Sequence, residues 1–448
     1  MKSSPRALAS VPRCTAQAAR PGARRLTGLY GSINSGSGSA QYRGLIHQWH
    51  RKPQGGVAFS RGLSTKLRSH EPSEPVFHTG EAPSFAFAFD IDGVLLHVAK
   101  PIPGAQESLK YLQDNNIPFI LLTNGGGKLE RDRVNDLSSK LGVELTVDNF
   151  VQSHTPFQEL TRGPQGLGDK TVFVTGADVQ KCREIAYSYG FKSVVTAADI
   201  LRDHPDIWPF DALMESVYGG SAHPLPLPLH TGEHMHDSTA LKIDAILVFN
   251  DPRDWALDIQ IIVDLLVSRQ GILGTYSAKN GDRSLPNDGW QQDGQPPVVF
   301  SNSDLFWSTT YHQPRFGQGA FQAALDGVWA RVTGGKELVR TSFGKPFVET
   351  YRFAERVLNE HRAKILSMGK MSGKEMAPLR RVYMVGDNPE SDIRGANEFA
   401  SPQGTEWTSV LVRTGVWRPE RGEPAHKPKM LVDDVKAAVE WALKREGH

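Results

Sequence analysis

The sequence has little cysteine and no long apolar run, and its first 70 residues contain no acidic side chain. Only Cys14 and Cys182 occur in 448 residues, which excludes a disulfide framework and points to a reducing compartment. No stretch approaches the roughly 18 uncharged apolar residues of a membrane span, so a transmembrane segment is not expected. Residues 1–70 carry twelve Lys or Arg and no Asp or Glu, leaving 39 basic side chains against all 49 acids in the remainder. The overall net charge of +2 therefore hides a basic leader on an acidic globular portion. A basic, Ser-rich, acid-free leader has the composition of a mitochondrial presequence. It predicts delivery to the mitochondrion, most simply the matrix, with Arg61-Gly62-Leu63-Ser64-Thr65 as a processing junction. The competing reading is a disordered basic arm that binds nucleic acid or anionic lipid. The arm's place at the very N-terminus and its lack of Lys clusters favour targeting, with no nucleic-acid partner expected.

What is present is most concentrated in 85-FAFAFDIDGVLLH-97. A strand-like alternation of Phe and Ala ends in Asp90 and Asp92, one position apart. Two like charges that close repel, and a chain that keeps both usually offers them a cation or a proton to share. The pattern downstream alternates strand and helix: a helix over 104–114, strand 117–123, helix 128–141, strand 171–178, helix 179–189 and strand 192–196. It continues through strand 243–250, helix 255–268, strand 298–302, helix 318–332, helix 347–362, strands 381–387 and 408–412, and helix 433–445. Short connections between such elements predict an α/β fold with parallel sheets. Two stretches rich in Gly, Pro, Asp, Asn or His, 203–238 and 279–297, read as loop insertions.

Four separated segments end predicted strands with groups suited to phosphate and a divalent ion. They are Asp90-Ile91-Asp92-Gly93, Thr123-Asn124, Gly344-Lys345-Pro346, and Gly386-Asp387 with Asp392. Open α/β sheets bind ligands at the carboxyl ends of their strands. Bland readings fail on spacing: an EF-hand counted from Asp90 needs Gly at its sixth position and Glu at its twelfth, where Leu95 and Pro101 stand. The Gly125-Gly126-Gly127-Lys128 run lacks the earlier Gly of a P-loop, position 122 being Leu.

In this order the four segments resemble motifs I to IV of the haloacid dehalogenase superfamily. The long section between the second and third resembles the α/β (C2-type) cap of subfamily IIA, and within it the cat-eye-syndrome critical-region type of hydrolase. That closer likeness is carried by 150-FVQSHTPFQEL-160, 298-VVFSNSDLFW-307, 315-RFGQGAF-321 and 385-VGDNPESDIRGAN-397. The resemblance implies a Rossmann-like parallel-sheet core, residues 84–164 and 336–448, with a large cap inserted at 165–335. It implies a Mg2+-dependent phosphatase acting on a small-molecule phosphate ester, and a homodimer through the cap.

Carried over residue by residue, Asp90 is the expected nucleophile, forming an aspartyl-phosphate. Asp92 is the acid and then the base; from an extended chain it would point the same way as Asp90. Asp90, the backbone carbonyl of Asp92, and Asp387 would hold the metal, with Asp392 orienting its waters. The Thr123 hydroxyl and the Asn124 amide would bind phosphoryl oxygens, and Lys345 would bind phosphate and neutralise developing charge. Motif IV reads Gly-Asp-Asn-Pro-Glu-Ser-Asp, a departure from many relatives that keeps the Asp387–Asp392 spacing.

Asn302 and Asp304 are candidate cap contacts to substrate, or a plain strand-end turn. His154 is expected to be a hydrogen-bonded structural residue and Cys182 a packed one. His223, His230, His234 and His236 lack metal-ligand spacing. Two other readings stay open: a non-catalytic member that keeps the fold for binding, and a hydrolase serving mitochondrial glycerophospholipid synthesis.

Overall fold

The computed structural model describes residues 83–448 except 211–217, 233–234, 308, 310 and 369–377. The basic leader and His234 thus lie outside the described residues. In chain order the first elements are β1 (Phe85–Phe89), α1 (Ala105–Asp114), β2 (Phe119–Leu122), α2 (Glu130–Leu141) and β3 (Phe150–Val151). A second set follows: β4 (Thr171–Thr175), α3 (Val179–Tyr189), β5 (Ser193–Val195), α4 (Ala197–Asp203) and β6 (Ala245–Val248). It continues with α5 (Trp255–Val267), β7 (Val298–Phe300), α6 (Gln318–Thr333) and β8 (Thr341–Ser342). The chain then returns through α7 (Val348–Met368), β9 (Arg381–Gly386), α8 (Arg394–Glu398), β10 (Glu406–Val412), β11 (Met430–Val432) and α9 (Val435–Glu446).

Two sheets result. The core sheet has the order β11-β10-β9-β1-β2-β3, and the cap sheet the order β8-β7-β6-β4-β5. Every pairing in both is parallel, as expected where helical crossovers return each strand to the same end. No helix among the described residues is long and apolar enough to cross a membrane.

The Phe/Ala alternation of β1 has a packing cause. Phe85, Phe87 and Phe89 face the side covered by Leu109 and Leu112 of α1 and Val435 and Val439 of α9. Ala86 and Ala88 face the other side, where Tyr351, Phe353 and Ala354 bring α7 against the sheet. Side chains alternate across a strand, so one face takes the large rings and the other the close-packed helix. The Phe87 and Phe89 rings stack at 5.4 Å.

From the β1–β9 pair the chain departs in opposite directions, β1 leading to β2 and β3, β9 to β10 and β11. That is a topological switch point, where a crevice opens beyond the strand ends. Asp90 follows β1 and Asp387 follows β9, and the Asp90 N–H donates to the Val385 carbonyl at 2.9 Å.

In the cap the structure departs from the sequence reading. Thr341–Ser342 pairs with Val299–Phe300, so the cap sheet extends past residue 335; a two-residue strand carries no periodicity to read. Within 203–238, Tyr218 and Leu229 are buried in the cap core beside Ile243 and Leu257. In 279–297, Trp290 packs edge-on against the Trp329 ring at 5.8 Å. Both insertions are therefore anchored by apolar side chains.

Candidate active site

Asp90, Asp387 and Asp392 present carboxylate oxygens that all lie within 4.8 Å of one another. The three side chains come from the two strand ends of the switch point and from the turn after β9, and all are buried. Lys345, 1% exposed, reaches in from the loop after β8. Its Nζ lies 2.6 Å from Asp90 Oδ1 and 2.7 Å from Asp392 Oδ1, and donates to the Leu122 carbonyl at 2.8 Å.

The surrounding hydrogen bonds fix each acid. Asp392 Oδ2 accepts the backbone N–H groups of Asp387 at 3.1 Å and Asn388 at 3.0 Å. Asp387 Oδ2 accepts the Val416 N–H at 2.6 Å. Backbone crowds this carboxylate from two directions: a Cβ added at Gly93 would sit 2.4 Å from Asp387 Oδ2, and one at Gly415 1.8 Å. Gly93 also holds φ +95°, so glycine is required there on both counts.

Charge in this site is not balanced. Burial raises the Asp90 carboxyl to about 7, with Lys345 opposing and Asp392 adding to the rise. Asp387 is pushed well above the carboxylate range by burial and by Asp90 and Asp392. Burial alone would lower the Lys345 ammonium, but the adjacent Asp392 and Asp90 raise it. With all three carboxylates ionised, the one ammonium leaves two negative charges to be met by protons or by a cation. An all-oxygen donor set with that deficit fits a hard divalent ion such as magnesium.

Thr123 and Asn124 follow β2 at the same end of the sheet. Thr123 Oγ1 accepts the Gly125 N–H at 3.0 Å, which leaves the hydroxyl proton available to a ligand. The Asn124 side chain does something the sequence reading missed. Its Oδ1 accepts the Lys345 N–H at 2.7 Å and its Nδ2 donates to the Lys345 carbonyl at 2.9 Å, so one amide clamps the lysine backbone on both sides.

Asp92 lies apart from the buried cluster. Strand β1 stops at Phe89 and the chain turns at residues 93–95 before the short Leu96–His97 strand, so the strand geometry that would aim Asp92 with Asp90 does not extend to Asp92. Its side chain is 52% exposed, with Oδ2 3.9 Å from the Arg133 guanidinium. Asp92 and Asp90 nevertheless line the same cavity of about 340 Å3, along with Thr123, Asn124, Lys345, Asp387 and Asp392.

The cap closes this cavity with Asn250, Asp251, Arg253, Asn302, Asp304, Phe306 and Trp307. Asn302 and Asp304 thus meet the predicted core residues, and Asn302 Oδ1 accepts the Asp304 N–H at 3.1 Å. Burial pushes Asp304 up to about 7, against the pull of Lys345 and an Asn124 hydrogen bond. Arg133, Arg253, Phe306 and Trp307 were not singled out in the sequence; nothing local marks a residue that reaches the site from a helix or from the other sheet.

His154 is structural. Its Nε2 accepts the Gly127 N–H at 3.0 Å and its Nδ1 lies 2.7 Å from the Tyr189 hydroxyl, which in turn donates to Glu130. Burial lowers the imidazole to about 4, keeping it neutral. Cys182 is packed in the cap, its thiol pushed up to about 12 by burial. His230 Nε2 lies 3.1 Å from the Met235 carbonyl.

With this geometry in place, comparison with known proteins is informative. Residues 87–192 match the model of the haloacid dehalogenase-like hydrolases, and residues 342–438 match a second model described as HAD-hydrolase-like. A mitochondrial hydrolase of Saccharomyces cerevisiae is 39% identical over 371 residues, covering 80% of this chain and 96% of the relative. A cardiolipin synthase (CMP-forming)/mitochondrial hydrolase fusion protein of Schizosaccharomyces pombe is 38% identical over 367 residues. That match covers 80% of this chain but 53% of the fusion protein, about half its length. Among solved structures, the glycerol phosphate phosphatase of Mycobacterium tuberculosis in complex with magnesium aligns at TM-score 0.45 and 17% identity. It covers 80% of this chain and 77% of its own.

Proposed function

Because the chain belongs to the haloacid dehalogenase-like hydrolases, we propose that it is a magnesium-dependent phosphatase of small phosphorylated metabolites, working through an aspartyl-phosphate. The observation that carries this reading is the buried set of Asp90, Asp387 and Asp392 around Lys345 at the switch point. We take residues 84–164 and the returning chain as the catalytic core, and the inserted sheet as its cap.

Phosphate esters resist attack because their oxygens repel nucleophiles, so the protein's task is positioning and charge compensation. Asp90 attacks phosphorus while the ester bond to the leaving oxygen breaks. Asp92, exposed enough to exchange protons, gives the leaving oxygen its proton. It then takes a proton from the water that attacks the aspartyl-phosphate, which releases phosphate and restores Asp90. The Thr123 hydroxyl and the Asn124 backbone amide bind phosphoryl oxygens, and Lys345 holds one Asp90 oxygen and offsets charge that builds on phosphorus. Asp90, Asp387 and the Asp92 carbonyl would hold magnesium, with Asp392 one shell out; the ion supplies Lewis-acid charge neutralisation when bound. The cap side of the cavity excludes bulk water and limits substrates to those that fit. Asp90→Asn should abolish p-nitrophenyl phosphate hydrolysis with the fold intact; wild-type turnover in that variant contradicts the assignment.

The relatives named mitochondrial hydrolases support residues 1–70 as a targeting leader. A fluorescent fusion of that segment that stayed cytosolic would contradict it. The fusion of one relative to a cardiolipin synthase favours a second reading, service to glycerophospholipid synthesis. Unchanged phosphatidylglycerol and cardiolipin after gene loss would count against that reading.

A further inference from the structure

One flank of the cavity is aromatic, and the chemistry above leaves it unused. Phe306 and Trp307, from the segment after β7, line the same cavity as Asp90 and Lys345, yet they are 44% and 46% exposed. Leaving large rings in water forgoes the stability that covering them would bring, so cap packing alone does not account for them. Nor are they loosely held. Phe306–Trp307 pairs antiparallel with Arg315–Phe316, the Phe306 and Phe316 rings stack at 5.6 Å, and Trp307 Nε1–H donates to the Phe316 carbonyl at 3.2 Å. Phe316 leans on the Trp255 ring at 6.4 Å, and Trp255 packs edge-on against Phe321 of α6 at 5.7 Å. Phe321 is fully buried in the cap core. The wall is thus tied through three successive ring contacts to the cap interior, while Phe306 and Trp307 each stay almost half exposed beside the phosphate chemistry.

We propose that Phe306 and Trp307 form the leaving-group subsite, and that the protein selects phosphate monoesters whose alcohol carries a planar aromatic ring. This rests on the phosphatase reading and adds the substrate class. Offset stacking and edge-to-face contact favour planar rings over saturated groups of equal size. A small polyol ester would reach Asp90 but leave both rings wet.

The test uses the full chain with magnesium and a matched set of esters: 2-phenylethyl, 2-cyclohexylethyl and ethyl phosphate, whose alcohols have similar acidity. The expected result is kcat/KM for the phenylethyl ester about tenfold or more above the other two, expressed mainly in KM. Phe306→Ala/Trp307→Ala should erase that preference, so that within this variant the phenylethyl, cyclohexylethyl and ethyl esters give similar kcat/KM, and Trp307→Tyr, which keeps a flat ring, should preserve it. Equal turnover of the cyclohexyl and phenyl esters overturns ring selection. So does an undiminished preference in the double alanine variant. Equilibrium binding of 2-phenylethylphosphonate, which cannot be hydrolysed, separates this inference from the activity. Ring-selective binding without turnover of any ester would sink the phosphatase reading and keep the subsite, whereas turnover without ring-selective binding would do the reverse.

Discussion

The protein buries charge in two places, and the two are built differently. In the cap, Arg183 and Asp199 are almost fully buried and answer each other. Arg183 Nη2 reaches both Asp199 oxygens at 2.8 and 3.0 Å and the Thr196 hydroxyl at 3.0 Å, and Nη1 donates to the Val194 carbonyl at 3.1 Å. Asp199 in turn accepts the Thr196 and His223 N–H groups at 2.8 and 2.6 Å. One plus meets one minus, and hydrogen bonds surround both the Asp199 carboxylate and the two terminal nitrogens of Arg183. In the core, three acids share a single lysine, and two of them are pushed far up in pKa. A balanced buried pair holds chain together; a buried surplus of one sign is a place for a ligand of the other.

That contrast can be broken or sharpened by experiment. The largest effect should come from Asp90→Asn, which removes the nucleophile. Turnover should fall by about 10^4-fold or more, and a steady-state assay with purified protein checks it. Next is stability. Arg183→Ala leaves Asp199 buried and unpaired and should cost about 3–5 kcal/mol in denaturant unfolding. Asp387→Asn, measured without metal, should do the opposite and raise the midpoint, since it relieves repulsion. Equal destabilisation by both variants would erase the distinction between the two sites.

A third effect is metal-linked. The Asp90 carboxyl lies near 7 in the folded chain against an ordinary value of 3.8, so between those pH values the folded state holds a proton the unfolded chain has released. The stability from this group is present below about pH 4 and is lost as pH rises to 7. Magnesium favours the ionised acids, so it should raise the thermal midpoint more at pH 8 than at pH 5. At a hundredfold excess over Kd the gain is about 2.7 kcal/mol, read by differential scanning calorimetry with and without EDTA. The smallest effect is Asn124→Ala, which strips the Lys345 backbone of two hydrogen bonds. It should lower kcat about tenfold through a displaced ammonium, and the buried Lys345 N–H and C=O left without their partner should cost about 1–3 kcal/mol in denaturant unfolding.

Much of this was legible in the chain itself. The strand β1 announces itself because Phe and Ala alternate over five residues, and Asp90, Thr123 and Asp387 each stand where a strand pattern stops, while Lys345 is marked by its place between Gly344 and Pro346. Asp392 is marked by its spacing from Asp387. Elements without a pattern were lost. Phe150–Val151, Thr341–Ser342 and Met430–Val432 are too short for any period to show, and their strand character comes from the neighbours they pair with. The Asn124 clamp joins residues 221 apart in sequence, and no local signal encodes such a contact. Asp92 illustrates a different failure: residues two apart share a face only while the strand lasts, and β1 ends at Phe89, before either acid. The aromatic flank was visible as residues but not as a surface, since exposure of Phe306 and Trp307 is decided by how the cap folds.

Calorimetric titration of the metal-free protein with magnesium is the most direct test of the buried surplus. One ion should bind per chain to the wild type, and the heat should vanish in Asp387→Asn while the fold persists. No binding to the wild type, or unchanged affinity in the variant, would contradict the account.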